Sequence, residues 1–256
     1  MDTNFGSPRI HVRVGPGLGT AREELSTAVA QQVGDLPAVT DEVRVRLGRV
    51  DRAGLRLPVV AQANLRVDGI PVRAQVAAAT PAGAIDALGR RLGRQAGAAL
   101  GPPAPRPWPD GRATPEPVPG PGGLRVVRCK TVALRVCSPV EAALTMDRLD
   151  HSSFLFVDAG SGDESVVRRV GPTGYRLTRL STLAPVEPAA AGLVPLTVDV
   201  HPVPTRSVAQ IVRRVDVAEL DHRFFRDVAT GRGAVLLRRY DGGLTLLRGA
   251  GPIAKS

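Results

Sequence analysis

The stretch DVATGRGAVLLRRYDGGLTL, residues 227–246, decides how the rest of the sequence is interpreted. A turn that ends near Gly231 leads into an apolar segment, and this segment ends in a pair of arginines. Asp241-Gly242 then reverses the chain into a second apolar segment. An Asp-Gly pair between two such segments is a strong signal for a β-hairpin. The stretch therefore predicts two antiparallel strands joined by a tight turn.

The same order of features occurs earlier, in DAGSGDESVVRRVGPTGYRLTRL, residues 158–180. This copy has Gly171-Pro172 where the later copy has Asp-Gly. Each copy also follows an aromatic segment, 154–156 in the first and 224–225 in the second. Self-similarity over this length indicates an internal repeat.

A helix is predicted before each aromatic segment. Ser138 is a capping residue followed by proline, which is favoured at the first helical position, and Thr205 or Ser207 provides a cap in the second copy. One more strand precedes each helix, at 132–136 and at 196–200. Each copy is therefore predicted to have the order β-α-β-β-β.

Residues 9–98 have a different pattern. Apolar alternation predicts a strand at 9–14, a helix at 21–33, a meander of three strands within 43–76 and a last helix at 82–99. This β-α-β-β-β-α domain has a sheet with one apolar face and one polar face rich in arginine. The arginines predicted on that polar face or on the surface of the last helix are Arg44, Arg46, Arg66, Arg73, Arg90, Arg91 and Arg94.

Two segments have the composition of linkers. Residues 101–123 are rich in proline and nearly devoid of aliphatic residues, and a shorter Ala- and Pro-rich segment covers 184–195. About 20 residues of polyproline-like chain span roughly 60 Å. Trp108, within the first linker, suits stacking on a base, binding in a protein groove or covering a domain edge. The predicted organisation is an N-terminal domain (1–99), a linker (100–123), a first repeat (124–182), a second linker (183–195) and a second repeat (196–256).

Charge favours a polyanionic partner. The formal net charge is +10, from 34 Lys and Arg against 24 Asp and Glu, and basic residues outnumber acidic ones in every predicted folded segment. RNA is the natural partner of such a surface. A coding bias towards Arg, Ala and Gly would account for the choice of Arg over Lys, but it does not account for the excess over acids. No signal peptide and no apolar run of membrane-spanning length is present, which predicts a cytoplasmic protein without a membrane partner.

Other chemistries are disfavoured. Cys129 and Cys137 lack the spacing of a zinc site, which predicts free thiols on either side of one strand. The glycines of 15–20 lack the third glycine of a dinucleotide loop and the Gly-Lys pair of a phosphate loop. The Asp-His pairs at 150–151 and 221–222 occupy different positions in the two repeats and have no nucleophile nearby. We therefore expect no enzyme activity, no metal, no cofactor and no small-molecule substrate.

The order of helix, Phe-rich strand, Asp-x-x-Ser/Thr-Gly turn, strand ending in Arg-Arg and Gly-Leu strand resembles the C-terminal domain of long ribosome hibernation promoting factors. Two copies in one chain resemble the actinobacterial, dormancy-associated form of that family. Residues 9–98 resemble the family's N-terminal domain, with Arg91 and Arg94 in the matching helix. The resemblance implies a stress-related translation inhibitor that occupies the mRNA and tRNA channel of the small ribosomal subunit, contacts 16S rRNA and ribosomal proteins, and stabilises idle ribosomes.

In that family a single C-terminal domain pairs with the same domain of a second molecule. Here a short linker tethers two copies at an effective concentration of order millimolar, which favours pairing within the chain and a monomeric protein. The residues expected to close this pseudo-dimer are Phe154, Phe156, Val166, Phe224, Phe225, Val235 and Leu237. Two alternatives remain open: a general double-stranded RNA-binding protein and a protein-interaction module that does not bind ribosomes.

Overall fold

The computed structural model describes residues 8–18, 22–34, 36, 39–51, 55–106, 124–170, 174–181, 194–217 and 222–250. The predictions on Trp108, on most of both linkers and on the Gly171-Pro172 turn lie outside these residues. The described chain forms two compact units. The first contains the described residues up to Ala104 together with the segment Asp147–His151, and the second contains the other described residues.

The first unit has a four-stranded sheet and two helices. Its elements are β1 (Arg9–Val14), α1 (Arg22–Gly34), β2 (Val39–Arg49), β3 (Val59–Val67), β4 (Ile70–Ala78) and α2 (Pro81–Leu100). The strands lie in the order β1-β2-β3-β4. The chain passes through α1 between β1 and β2, which are parallel, whereas β2, β3 and β4 are antiparallel neighbours.

The core of the first unit lies on one face of this sheet. Alternate residues of β2 are at most 2% exposed at Val43, Val45 and Leu47. Helix α2 contributes Leu88 and Leu92, which are equally buried and lie one turn apart on its apolar side. Both helices pack in this apolar cluster, which leaves the polar residues of each strand on the opposite face.

Gly89 marks the close approach of the two helices. A Cβ at this position would lie 2.0 Å from Oε1 of Gln32 in α1. Glycine is a poor helix former, and its place in the middle of α2 is explained by this packing and not by helix propensity. The helix begins after Thr80, whose hydroxyl accepts a hydrogen bond from the Gly83 backbone N–H at 3.1 Å.

The second unit contains two sheets and two helices, except that the last two residues of one helix, Asp147 and Arg148, are grouped with the first unit. The elements of the first half are β5 (Val126–Val132), β6 (Val136–Cys137), α3 (Pro139–Arg148), β7 (Ser153–Asp158), β8 (Glu164–Arg169) and β9 (Tyr175–Arg179). Those of the second half are β10 (Leu196–Val198), β11 (Thr205–Arg206), α4 (Val208–Val217), β12 (His222–Asp227), β13 (Gly233–Arg238) and β14 (Leu244–Gly249). The described chain is therefore a mixed α+β protein with three sheets, and its α+β class is the one that the sequence predicts.

The two halves exchange strands. One sheet has the order β10-β9-β8-β7-β6 and the other β11-β12-β13-β14-β5. Strand β5 of the first half thus pairs with β14 of the second, and β10 of the second half pairs with β9 of the first. The prediction of a single strand before each helix was incomplete: each half has a strand that joins the other sheet and a two-residue strand that joins its own.

Both helices of the second unit begin with the same cap. The Ser138 hydroxyl accepts from the Glu141 backbone N–H at 3.3 Å, while the Glu141 carboxylate accepts from the Ser138 N–H at 2.9 Å. Ser207 and Gln210 repeat these two contacts at the same distances. This reciprocal arrangement satisfies two of the backbone donors that a helix start leaves without partners.

The cysteines differ from their predicted placement. Cys129 is exposed within β5, and Cys137 is buried in β6. The strand predicted at 132–136 is replaced by β5, which starts earlier and includes Cys129, and by β6, which includes Cys137, so the cysteines lie within strands and do not flank one. Both thiols are free, and burial raises the pKa of Cys137 to about 11.

Two kinds of feature are absent from the described ranges. Within them, no three or more His, Cys, Asp or Glu side chains are grouped so as to hold a metal ion. None of the helices described has both the length and the apolarity needed to span a bilayer.

Candidate functional site

The face of the four-stranded sheet opposite the helices carries polar side chains in rows. Strand register aligns His11, Arg44, Asn64 and Arg73 across β1 to β4. A second row, two residues further along β1, aligns Arg13, Arg46, Gln62 and Gln75. Residues directly opposite on neighbouring strands share one face of a sheet at about 5 Å spacing. We refer to the surface formed by these two rows, with Arg9, Glu42 and Arg66, as the open face.

Most arginines of the open face are exposed. This holds for Arg44, Arg46 and Arg66, which the sequence predicted, and for Arg9 and Arg13, which it did not. The alternation of basic and aliphatic residues in β1 was the signal that could have identified Arg9 and Arg13. Arg66 also donates a hydrogen bond to the Gly69 carbonyl at 2.8 Å.

Among the described side chains of the open face, Glu42 is the acidic one. Arg44 Nη2 lies 2.6 Å from Glu42 Oε2, and His11 Nε2 lies 3.3 Å from Oε1. The hydrogen bond from Arg44, with the nearby positive charges, lowers the pKa of Glu42. The carboxylate is therefore ionised at neutral pH and offsets one arginine, which leaves the open face with a net positive charge.

Two of the three predicted arginines of α2 are at the surface. Arg90 and Arg94 are exposed, whereas Arg91 is only 3% exposed. The prediction of a surface position for Arg91 was wrong because residue 91 follows Leu88 by one helical turn and lies on the buried side. Its Nη2 donates to Asp150 Oδ1 at 2.7 Å, in the Asp147–His151 segment of the same unit.

Arg73 is engaged inside the protein. Its Nη1 donates to the carbonyls of Leu149 and Asp150, each at 3.2 Å, and its Nη2 donates to the side chains of Gln62 and Gln75. The guanidinium is therefore less available to an external phosphate than those of the exposed arginines.

The residues predicted to pair the repeats fall into separate clusters. Val166, Phe224 and Val235 are buried in one cluster to which both halves of the second unit contribute, with Leu237 packed beside them. Leu155 also belongs to this shared cluster and was missed.

The other three predicted residues lie elsewhere. Phe154 and Phe156 pack in the cluster that includes the residues of α3, and Phe225 packs in the cluster of α4. Neighbouring residues of a strand point to opposite faces. The aromatic pair Phe224-Phe225 therefore divides between the two sides of its sheet, so the prediction that both residues close one shared core was wrong for Phe225.

An ion pair fixes the turn after the aromatic strand in both repeats. Asp158 Oδ2 accepts from Arg179 Nε at 2.6 Å, and Asp227 Oδ2 accepts from Arg248 Nη2 at 2.5 Å. The other carboxylate oxygen of each aspartate accepts a backbone N–H two residues later. The sequence pattern predicts both aspartates as turn residues but does not identify the arginines as their partners.

Gly162 and Gly231 complete these turns with φ of 72° and 68°. Glycine adopts this left-handed conformation without the steric cost of a side chain. The two turns have the same construction, so the repeats can be compared position by position.

These features define a class of binding protein, with a basic sheet face in one unit and two interlocked repeats in the other. A family model described as "Sigma 54 modulation/S30EA ribosomal protein C terminus" matches residues 123–177, which cover most of the first repeat. Two curated proteins of Mycobacterium tuberculosis strains, each named "Dormancy associated translation inhibitor", are 39% identical over 240 residues. These alignments cover 90% of this chain and 84% of each relative.

A solved structure, "Structure of an ribosomal subunit interface protein from Coxiella burnetii", is 14% identical, with a TM-score of 0.28 over 36% of this chain and 94% of that chain. From the identity and coverage of the curated relatives, the chain belongs to the family of dormancy-associated translation inhibitors with the sigma 54 modulation/S30EA C-terminal domain.

Proposed function

We propose that this protein is a ribosome-binding hibernation factor. It binds the small subunit, through 16S rRNA and ribosomal proteins, in the channel that mRNA and tRNA would occupy, and it stabilises idle ribosomes under stress. Its family supports this role, since relatives are named translation inhibitors. The protein acts in the cytoplasm as a binding protein and not as an enzyme.

The observation that carries the proposal is the basic open face. It presents exposed arginines from β1, β2 and β3 on a rigid sheet whose other side is a packed core. Nine-residue strands are about 30 Å long, and four strands are about 15 Å wide between the outer two. A surface of this size covers several nucleotides. Arginine suits it because the planar guanidinium forms two parallel hydrogen bonds to a phosphate.

Inhibition then follows from occupancy. A folded sheet bound to rRNA phosphates in the channel excludes the mRNA and tRNA that would use the same space, and no chemical step is required. Arg90 and Arg94 on α2 give the unit a second exposed basic site for the same particle. Phosphate contacts provide affinity without reading sequence, as expected for a factor that recognises one large particle by shape and position.

The second candidate function is general binding of double-stranded RNA. The open face also suits this function, because proteins that bind duplex RNA recognise its shape and phosphates. Co-sedimentation with purified ribosomes separates the two. A hibernation factor associates with intact small subunits at near 1:1 stoichiometry, and excess duplex RNA does not displace it. A general RNA binder is displaced in proportion to the added duplex.

The open face is tested by the variant Arg13→Gln with Arg46→Gln, two exposed residues that are opposite each other on β1 and β2. Each lost phosphate contact reduces the slope of log affinity against log salt by about 0.7–0.9, so we expect a slope lower by about 1.5 and weaker inhibition of translation in vitro. The comparison variant, Arg90→Gln with Arg94→Gln, removes the same charge from the second basic site, on α2.

The outcomes are distinct. A loss of affinity only in the α2 variant would move the interface to α2 while ribosome binding stands. Failure of the parent protein to sediment with ribosomes would overturn the proposed function.

A further inference from the structure

A buried carboxylate joins the two repeats. Glu164, at the start of β8, is 1% exposed. Its Oε1 accepts hydrogen bonds from Arg232, with Nε at 2.8 Å, and its Oε2 accepts from the Gly233 backbone N–H at 2.5 Å. Both donors belong to the second repeat. A buried acid of one repeat is therefore neutralised by an arginine of the other.

The residues in this contact occupy nearly the same positions in the two repeats. When the turns of Asp158 and Asp227 are superposed by sequence, Glu164 corresponds to Gly233. In the same alignment Asp163 corresponds to Arg232. The first repeat thus has two acids where the second has a cation followed by a residue with no side chain. Equivalent positions of a two-fold pair touch each other only near the axis, and Glu164 accepts from the N–H of its own equivalent, Gly233, so these differences lie where the repeats meet.

Gly233 has no room for a larger residue. A Cβ there would lie 2.9 Å from the ring of Phe224 and 3.1 Å from Oε2 of Glu164. The absence of a side chain in the second repeat is what lets the Glu164 carboxylate reach the backbone N–H.

A second contact between the repeats also joins residues that have no counterpart of the same kind in the other repeat. Arg226 Nη2 donates to the Ser181 hydroxyl at 2.9 Å. The equivalent of Arg226 in the first repeat is Val157, and the equivalent of Ser181 in the second is Ala250. Exchanging either repeat for a copy of the other would remove a partner from this hydrogen bond.

We infer that Glu164, Arg232 and Gly233 select the pairing partner: they favour the union of two unlike repeats and oppose the union of two like repeats. Two first repeats would bring Asp163 and Glu164 against the same acids, with no cation to compensate the buried charge. Two second repeats would leave Arg232 without its carboxylate. This selection depends on side-chain chemistry and acts in addition to the high effective concentration that the linker between the repeats provides. It goes beyond the proposed ribosome binding, because it concerns which surfaces of the free protein associate.

The test uses two single variants of the full chain. Arg232→Asp gives both repeats an acid, and Glu164→Arg gives both a cation. Each turns an unlike pair into a like pair, so the equilibrium constant for unfolding of the second unit should rise by about 100-fold or more. The double variant, with both changes in one chain, restores an acid opposite a cation with reversed polarity. Its equilibrium constant for unfolding should lie within about tenfold of the parent value, whereas two independent effects would multiply.

Recombination of the two single variants provides the decisive measurement. The two chains carry different affinity tags, are unfolded together in equal amounts and are refolded. Unlike pairs can then form only between chains, so sedimentation should show a two-chain species that contains both tags. The parent, and each variant refolded alone, should give single chains only.

A matched control removes a buried ion pair that lies within one repeat. Asp158→Asn breaks the contact with Arg179 and should destabilise the protein without producing a mixed two-chain species. The inference is overturned if the mixed variants form no more two-chain species than each variant refolded alone, or if Asp158→Asn forms as much of it as the mixture does. It is also overturned if the unfolding constant of the double variant rises by the product of the two single effects. All readouts are made on free protein, so they do not depend on ribosome binding.

Discussion

At the residue scale, buried charges in this protein occur in fixed partnerships. Arg179 and Asp158 are 7% and 1% exposed at their side chains, and losing one partner of such a pair typically costs about 3–5 kcal/mol. The equivalent Arg248 is 35% exposed, so water can compensate more of its loss and the expected cost is smaller. The equivalent ion pairs of the two repeats therefore contribute different amounts to the free energy of unfolding.

His222 makes the second unit sensitive to mild acid. Burial, with repulsion from Arg168 and Arg223, lowers the pKa of His222 to about 4, whereas in the unfolded chain it is about 6.5. Between these values the unfolded chain binds a proton that the folded protein does not. Stability therefore falls as the pH is lowered through this window, by about 2 kcal/mol between pH 6.5 and 5.

Urea unfolding of the parent and of His222→Gln at pH 7, 6 and 5 checks this expectation. The variant should lose most of that pH dependence, whereas His201→Gln, at an exposed histidine, should keep it. Identical pH profiles for the parent and His222→Gln would contradict the assignment.

At the element scale, the two caps of the second unit provide a matched comparison. Ser138→Ala removes the side-chain acceptor at the start of α3, and Ser207→Ala removes the equivalent acceptor at α4. Each should lower the free energy of unfolding by about 1 kcal/mol. Ser138→Thr keeps a hydroxyl, which can accept from the Glu141 N–H and donate to its carboxylate, and should restore most of the loss. Chemical denaturation followed by circular dichroism measures all three. Equal stabilities of Ser138→Ala and the parent would show that the cap is energetically neutral.

The sequence predicted the elements better than their partners. Alternation located β1 and both hairpins, apolar spacing located α1 and α2, and capping residues located α3 and α4, because these signals are local. The exchange of β5 and β10 could not be predicted, since the apolar pattern of a strand does not say which sheet it joins. For the same reason the pattern placed Phe156 and Phe225 among apolar residues without indicating which cluster. Arg91 was misplaced because a charge on a helix normally marks its solvent side, and its buried partner lies 59 residues away.

At the scale of the whole molecule, we expect the proline-rich linker to set the cooperation between the two units. Deleting 102–121 should leave the N-terminal unit able to bind ribosomes but should remove the avidity of two tethered contacts, which raises the dissociation constant by about 100-fold. A linker of equal length made of Gly and Ser is the control and should keep most of that avidity. Ribosome co-sedimentation across a protein titration measures the three forms. Unchanged affinity of the deletion would argue against binding at two sites.

The reciprocal exchange of β5 and β10 also governs the order in which the second unit can be made. Strand β5 is synthesised early, yet its only paired neighbour among the described strands is β14, more than one hundred residues later in the chain. Contacts this distant in sequence form slowly, because a long loop must close first. The first repeat therefore cannot complete its part of the structure while the second is still being translated. Until then β5 is an unsatisfied strand edge, which exposes the nascent chain to aggregation and to chaperones.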